Sequence, residues 1–186
     1  MRLRHDRPMR RLVQELAATR IGETFNQYAD SPLRRTRLAV YLEARRTAPI
    51  VLVGEAAGYR GARVSGLPFT SERQVTGRGP AEATATIVHR VLERLGLTED
   101  VLLWNVVPTH PGTPSSNRSP TRVEVEAAEP FLAELVRDRQ VVAVGRLAAA
   151  VTEAPYVRHP SHGGAAAFEA GLRALTGPRV PVRVSA

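Results

Sequence analysis

A chain of 186 residues with 43% apolar residues is long enough for one domain with its own hydrophobic core. It has no cysteine, which excludes disulfides, thiolate metal sites and any cysteine-held iron–sulfur cluster. Its formal net charge is +8 and every basic residue is arginine, so either a polyanionic partner or an arginine-rich solvated surface accounts for the charge.

No apolar run is long enough to span a bilayer, and the segment from Met1 to Pro8 leads into no apolar stretch of secretory type. The expected location is therefore cytoplasmic, with nucleoid association if the source is bacterial. From Met9 to Ala18, residues Met9, Leu12, Val13 and Leu16 fall on one helical face. A second helix is predicted from Leu33 to Arg46, with its arginines on the outer side. Pro49 to Gly54 is a short continuous apolar run ending in glycine, the pattern of a buried parallel strand that runs into a loop. Pro80 opens a helix with Ile87, Val88, Val91, Leu92 and Leu95 inward, stopped by Gly96.

Val101 to Val107 reads as the second strand and feeds a long polar loop from Pro108 to Pro120. Thr121 and Glu124 are spaced as a capping box for the next helix, which should kink or break near Pro130. Val141 to Gly145 is the third strand, followed by an alanine-rich helix. Tyr156 to Arg158 is a short fourth strand leading to His159-Pro160-Ser161. Ala165 to Leu175 is the last helix, and Val180 to Val184 adds an edge strand or stays loose. Strands alternating with helices predict an α/β fold, a three-layer α/β/α sandwich on a central four-stranded parallel sheet. The whole chain, 1–186, reads as one domain: N-terminal helices in 1–48, a core in 49–176 and a tail in 177–186. Ligands in such folds gather at the carboxyl ends of strands. The loops after Gly54, Asn105 and Arg158 all belong there.

Each loop is unremarkable alone. A Gly-rich turn such as Gly54-Glu55-Ala56-Ala57-Gly58 exposes N–H groups to an anion or simply connects. An asparagine at the end of a buried strand, as Asn105 is, costs desolvation unless it is paired. Together and in this order, however, three segments resemble the motifs of the uracil-DNA glycosylase superfamily. They are Gly54-Glu55-Ala56-Ala57-Gly58 with Gly66-Leu67-Pro68-Phe69 downstream, Asn105-Val106-Val107 followed by Asn117-Arg118-Ser119-Pro120-Thr121, and His159-Pro160-Ser161. The resemblance runs from about Ile50 to about Leu175. Its nearest branch is the iron–sulfur-containing thermophile type; lacking cysteines, this chain looks like a cluster-free relative that needs no cofactor.

The resemblance implies an enzyme that flips a damaged nucleotide from DNA and hydrolyses its N-glycosidic bond. Asn105 would pair with the Watson–Crick edge of uracil, and Phe69 would stack on the base. Gly54, Ala56 and Gly58 would cradle it. Glu55 would orient water and steady the cationic sugar, and His159 would donate to the departing base. Ser161, His162 and Arg118 would hold DNA phosphates, with Ser71 and, less directly, Thr70. A lysine Schiff base is excluded because the chain has no lysine.

The sequence also departs from the pattern. Ala57 replaces a proline, and Ala56 stands where other branches keep Asp or Asn. Gly58 stands where one branch keeps a tyrosine that shuts out the thymine methyl, with Tyr59 adjacent. His162-Gly163-Gly164 offers no bulky apolar wedge, which favours single strands or weak action on duplex. The segment from Pro111 to Ser116 is longer than in the iron–sulfur branch. Metal binding by His110, His159 and His162 is set aside, since their spacing is not that of a metal site. The expected protein is a monomer that acts on DNA containing uracil. The alternatives are a glycosylase for hypoxanthine or xanthine, and a feeble relative that only binds damage.

Overall fold

The computed structural model describes residues 8–177, so the region from Val180 to Val184 lies outside the described residues. In chain order the elements are α1 (Pro8–Ala18), α2 (Pro32–Ala44), β1 (Ile50–Ala56), α3 (Ala62–Ser65), α4 (Glu72–Thr76), α5 (Ala83–Arg94), β2 (Val101–Val107), α6 (Arg122–Val136), β3 (Gln140–Val144), α7 (Arg146–Thr152), β4 (Tyr156–Val157) and α8 (Ala165–Thr176). The strands form one four-stranded sheet in the order β2-β1-β3-β4. All three pairings are parallel.

Period-two alternation along the central strands separates two apolar layers. Val51 and Val53 of β1, with Leu102 and Trp104 of β2, face α1, α2 and α6. Ile50 and Leu52, with Val101 and Leu103, face α5 and α8. This is the three-layer α/β/α sandwich that the alternation of elements implies. Among the described residues no helix is long and apolar enough to cross a membrane.

Strand β1 runs on through Gly54 to Ala56, and α5 opens at Ala83 with Glu82 as its N-cap, not at Pro80. Three further expectations change. Helix α6 runs through Pro130 without a break. Pro130 sits on the exposed side, where water can serve the carbonyl it leaves unpaired, while Ala128, Phe131, Leu132 and Leu135 keep the other face buried. The short helices α3 and α4 appear within what reads as loop. The arginines of α2 do not line its outer side. Arg34 Nε donates to the Val64 carbonyl at 2.9 Å, Arg35 Nη1 to the Tyr28 and Ala29 carbonyls at 2.7 Å each, and Arg37 forks onto Glu72 at 2.8 and 3.1 Å. The exposed residues of α2 include instead Leu33 and Val40. These guanidiniums satisfy carbonyls that α3 and neighbouring turns leave open, and so fix the loop that follows β1.

Candidate active site

Because β1, β2 and β4 are parallel, their carboxyl ends share one rim. Gly54 and Asn105 are direct partners across that rim. A Cβ on Gly54 would overlap the Phe69 ring and come within 2.8 Å of Asn105 Oδ1, so glycine is what lets ring and amide converge near the carboxyl end of β1. Phe69 itself has a φ of 50°, a left-handed conformation rare for a bulky residue. The turn is held by Ser65, whose hydroxyl donates to the Thr70 carbonyl at 2.6 Å.

The loops enclose a cleft of about 350 Å³, lined by Glu55, Phe69, Asn105, His159, Glu82 and Arg118 among others. Ala56, Ala57 and Gly58 form part of the same wall. The fold thus brings together Glu55, Phe69, Asn105 and His159 from segments more than a hundred residues apart at the extremes. Asn105 is only 4% exposed, yet among the described residues its amide has no hydrogen-bond partner. The amide lines the cleft, where water or a ligand can meet it.

His159 follows β4 directly. Its Nδ1 accepts the Ser161 backbone N–H at 3.2 Å, and the Ser161 hydroxyl lies 2.7 Å away. An accepting Nδ1 carries no proton, which assigns the proton of the neutral ring to Nε2. Burial pulls the His159 pKa below its ordinary value, the Glu55 carboxylate works against that, and His162 adds to it. The imidazole is therefore suited to act as a neutral N–H donor.

The phosphate-binding expectations fare unevenly. Ser71 is fully buried, and its N–H and hydroxyl both donate to Gln74 Oε1 at 2.9 Å, closing the first turn of α4. Thr70 is also buried and its hydroxyl donates to the Pro68 carbonyl at 2.9 Å. The Ser71 side chain is thus enclosed by the protein, and Thr70 nearly so. The Ser161 hydroxyl sits between two imidazoles, 2.7 Å from His159 and 3.0 Å from His162 Nδ1. His162 is exposed, with a φ of 51°. Arg118 lines the cleft but forks onto Glu124, its Nη1 lying 2.8 Å from Oε2. Tyr59 is absent from the lining of the cleft and instead lies beneath Arg60, whose guanidinium is 5.3 Å from the ring centre.

Two residues without an assigned role turn out to shape the site. His110 is fully buried, with Nδ1 2.7 Å from the Ala57 carbonyl and Nε2 2.7 Å from that of Thr113. It thereby ties the loop after β1 to the long loop after β2. Asn117 Oδ1 accepts the Tyr59 N–H at 2.9 Å and joins the same loops nearer the mouth. Both stand within segments that attract attention in the sequence, but only the fold shows what they hold. Glu82 is the third unforeseen residue of the cleft, and no motif surrounds it.

Similarity to known proteins identifies the family. The family described as the uracil DNA glycosylase superfamily matches residues 42–176. A Type-4 uracil-DNA glycosylase of Pyrobaculum aerophilum is 31% identical over 123 residues, which is 63% of this chain and 55% of that protein. The match thus spans little more than half of the relative's length. The crystal structure of Pedobacter heparinus SMUG2 superposes with a TM-score of 0.62 at 10% identity, covering 90% of this chain and 95% of that one, and so shares the fold. With a family match over most of its length and the family's motifs gathered at one cleft, the chain belongs to the uracil DNA glycosylase superfamily.

Proposed function

We propose that this protein hydrolyses the N-glycosidic bond of uracil in DNA as a monofunctional glycosylase and leaves an abasic site. The observation that carries the reading is the buried, partnerless amide of Asn105 in one cleft with Glu55, Phe69 and His159. The Asn105 carbonyl oxygen accepts the uracil N3–H while its NH2 donates to O4; cytosine presents the reverse pattern and leaves both groups unmet. The Phe69 ring covers one face of the flipped base. As the bond to the sugar breaks, negative charge moves onto the base. The neutral His159 donates its Nε2–H to O2, where that charge collects. Glu55 holds the attacking water and offsets the positive charge of the sugar. The name of the Pyrobaculum relative supports uracil as the base.

The test is base release from oligonucleotides carrying uracil, hypoxanthine or xanthine, single- and double-stranded, read by alkaline cleavage at abasic sites. Release of uracil that disappears in Glu55→Gln and His159→Ala is expected. Release from purine lesions alone, or binding with no release, contradicts the proposal.

A further inference from the structure

We propose that Glu82 selects the base: its carboxyl closes the wall of the cleft against pyrimidines that carry a methyl or larger group at C5. This rests on the reading of the cleft as a uracil pocket. Glu82 stands at the N-cap position of α5, where a carboxylate would ordinarily accept the free N–H groups of the first turn. It makes no such bond. The side chain turns away from the helix and lies against the loop after β1, with Oε1 over Gly58 and Oε2 over Gly61. A Cβ on either glycine would overlap the carboxyl. Gly58 does not have a positive φ, so what glycine supplies there is room for the carboxyl in this position.

Two glycines therefore admit one acidic group from a segment more than twenty residues away. Among the described residues that group has no hydrogen-bond or ion-pair partner. Burial raises its pKa. It lines the same cleft as Asn105 and His159, and the reaction described above gives it no task. With Asn105 on the N3–O4 edge and His159 at O2, the C5 edge is the one left to face the wall that Gly58 and Glu82 build. A hydrogen at C5 fits against that wall. A methyl would collide with the carboxyl or strip it of water without offering a partner, which is costly for a group already short of hydrogen bonds.

The experiment compares wild type with Glu82→Ala, Glu82→Asp and Glu82→Gln on single-stranded oligonucleotides bearing uracil or thymine at one position. Glu82→Ala is expected to raise the thymine-to-uracil ratio of kcat/KM by at least about tenfold, the scale of one methyl group in a shaped pocket. Glu82→Asp, which withdraws the carboxyl, should shift the ratio the same way. Glu82→Gln keeps the shape and should stay near wild type. The same ratios are measured as Kd values on strands whose 2′-fluorinated uracil or thymine nucleotides resist cleavage. If wild type releases no uracil, the reading of the site fails, and the Kd ratios still decide the role of Glu82. Ratios unchanged in both Glu82→Ala and Glu82→Asp, or shifted as far in Glu82→Gln, overturn the proposal.

Discussion

Replacing Arg118 with alanine strands a carboxylate that is 1% exposed. Glu124 accepts both arms of the guanidinium and the Thr121 N–H at 2.8 Å. Its pKa falls from 4.5 to about 2, chiefly through the hydrogen bonds from Arg118, against the opposing effect of burial and with help from Thr121. At 1.36 kcal/mol per unit, the net lowering, partners against burial, favours the ionised form by about 3 kcal/mol. The Arg118 side chain is 40% exposed, so solvent screens part of this. A loss of about 2 kcal/mol is expected for Arg118→Ala, or about 4–8 °C in Tm for a chain of this size. The sign with pH follows from the lowered pKa. The contribution is complete above pH 4.5 and disappears as pH falls toward 2. Urea unfolding at pH 7 and pH 3 reads both effects, and the variant should differ from wild type much less at the lower pH. The reasoning is refuted if Arg118→Ala stays within about 0.5 kcal/mol of wild type at pH 7. If the slope of DNA affinity against salt then also drops by about one, Arg118 serves a phosphate instead of Glu124.

Further outcomes follow from the same geometry. Ser71→Ala should cost about 1 kcal/mol through the weakened start of α4 and leave DNA affinity and its salt slope unchanged, as thermal unfolding and anisotropy titrations would show. Base release requires neutral His159, so the single-turnover rate should rise with pH and level off, with its midpoint below the ordinary histidine value of 6.5 because burial lowers the pKa. Removing the nearby charge in His162→Asn should move that midpoint upward. A pH–rate profile of both proteins checks the direction, and a midpoint above 6.5 in wild type contradicts it.

What could be read from the sequence depended on how local each signal was. The strands β1 and β2 announce themselves because a continuous apolar run bounded by Gly54 or Pro108 has few other uses in a chain of this type. Thr121 and Glu124 announce the start of α6 because both halves of the capping box lie three residues apart. Pro130 misleads because whether a proline breaks a helix depends on which side faces water, and that is a tertiary fact. Helices α3 and α4 are too short to show a period. Arg34, Arg35 and Arg37 advertise charge, but nothing adjacent reveals the carbonyls they serve. The site divides the same way. Glu55, Asn105 and His159 stand in recognisable motifs, whereas Ser71 and Glu82 take their meaning from burial and from space left by distant glycines.

The account depends most on Asn105 reading the base. Single-turnover release of uracil by Asn105→Ala, measured beside its affinity for the same strand, tests this directly. A fall in rate of about 10²-fold or more with salt-dependent DNA binding retained is the expected result. Release at the wild-type rate would contradict the account.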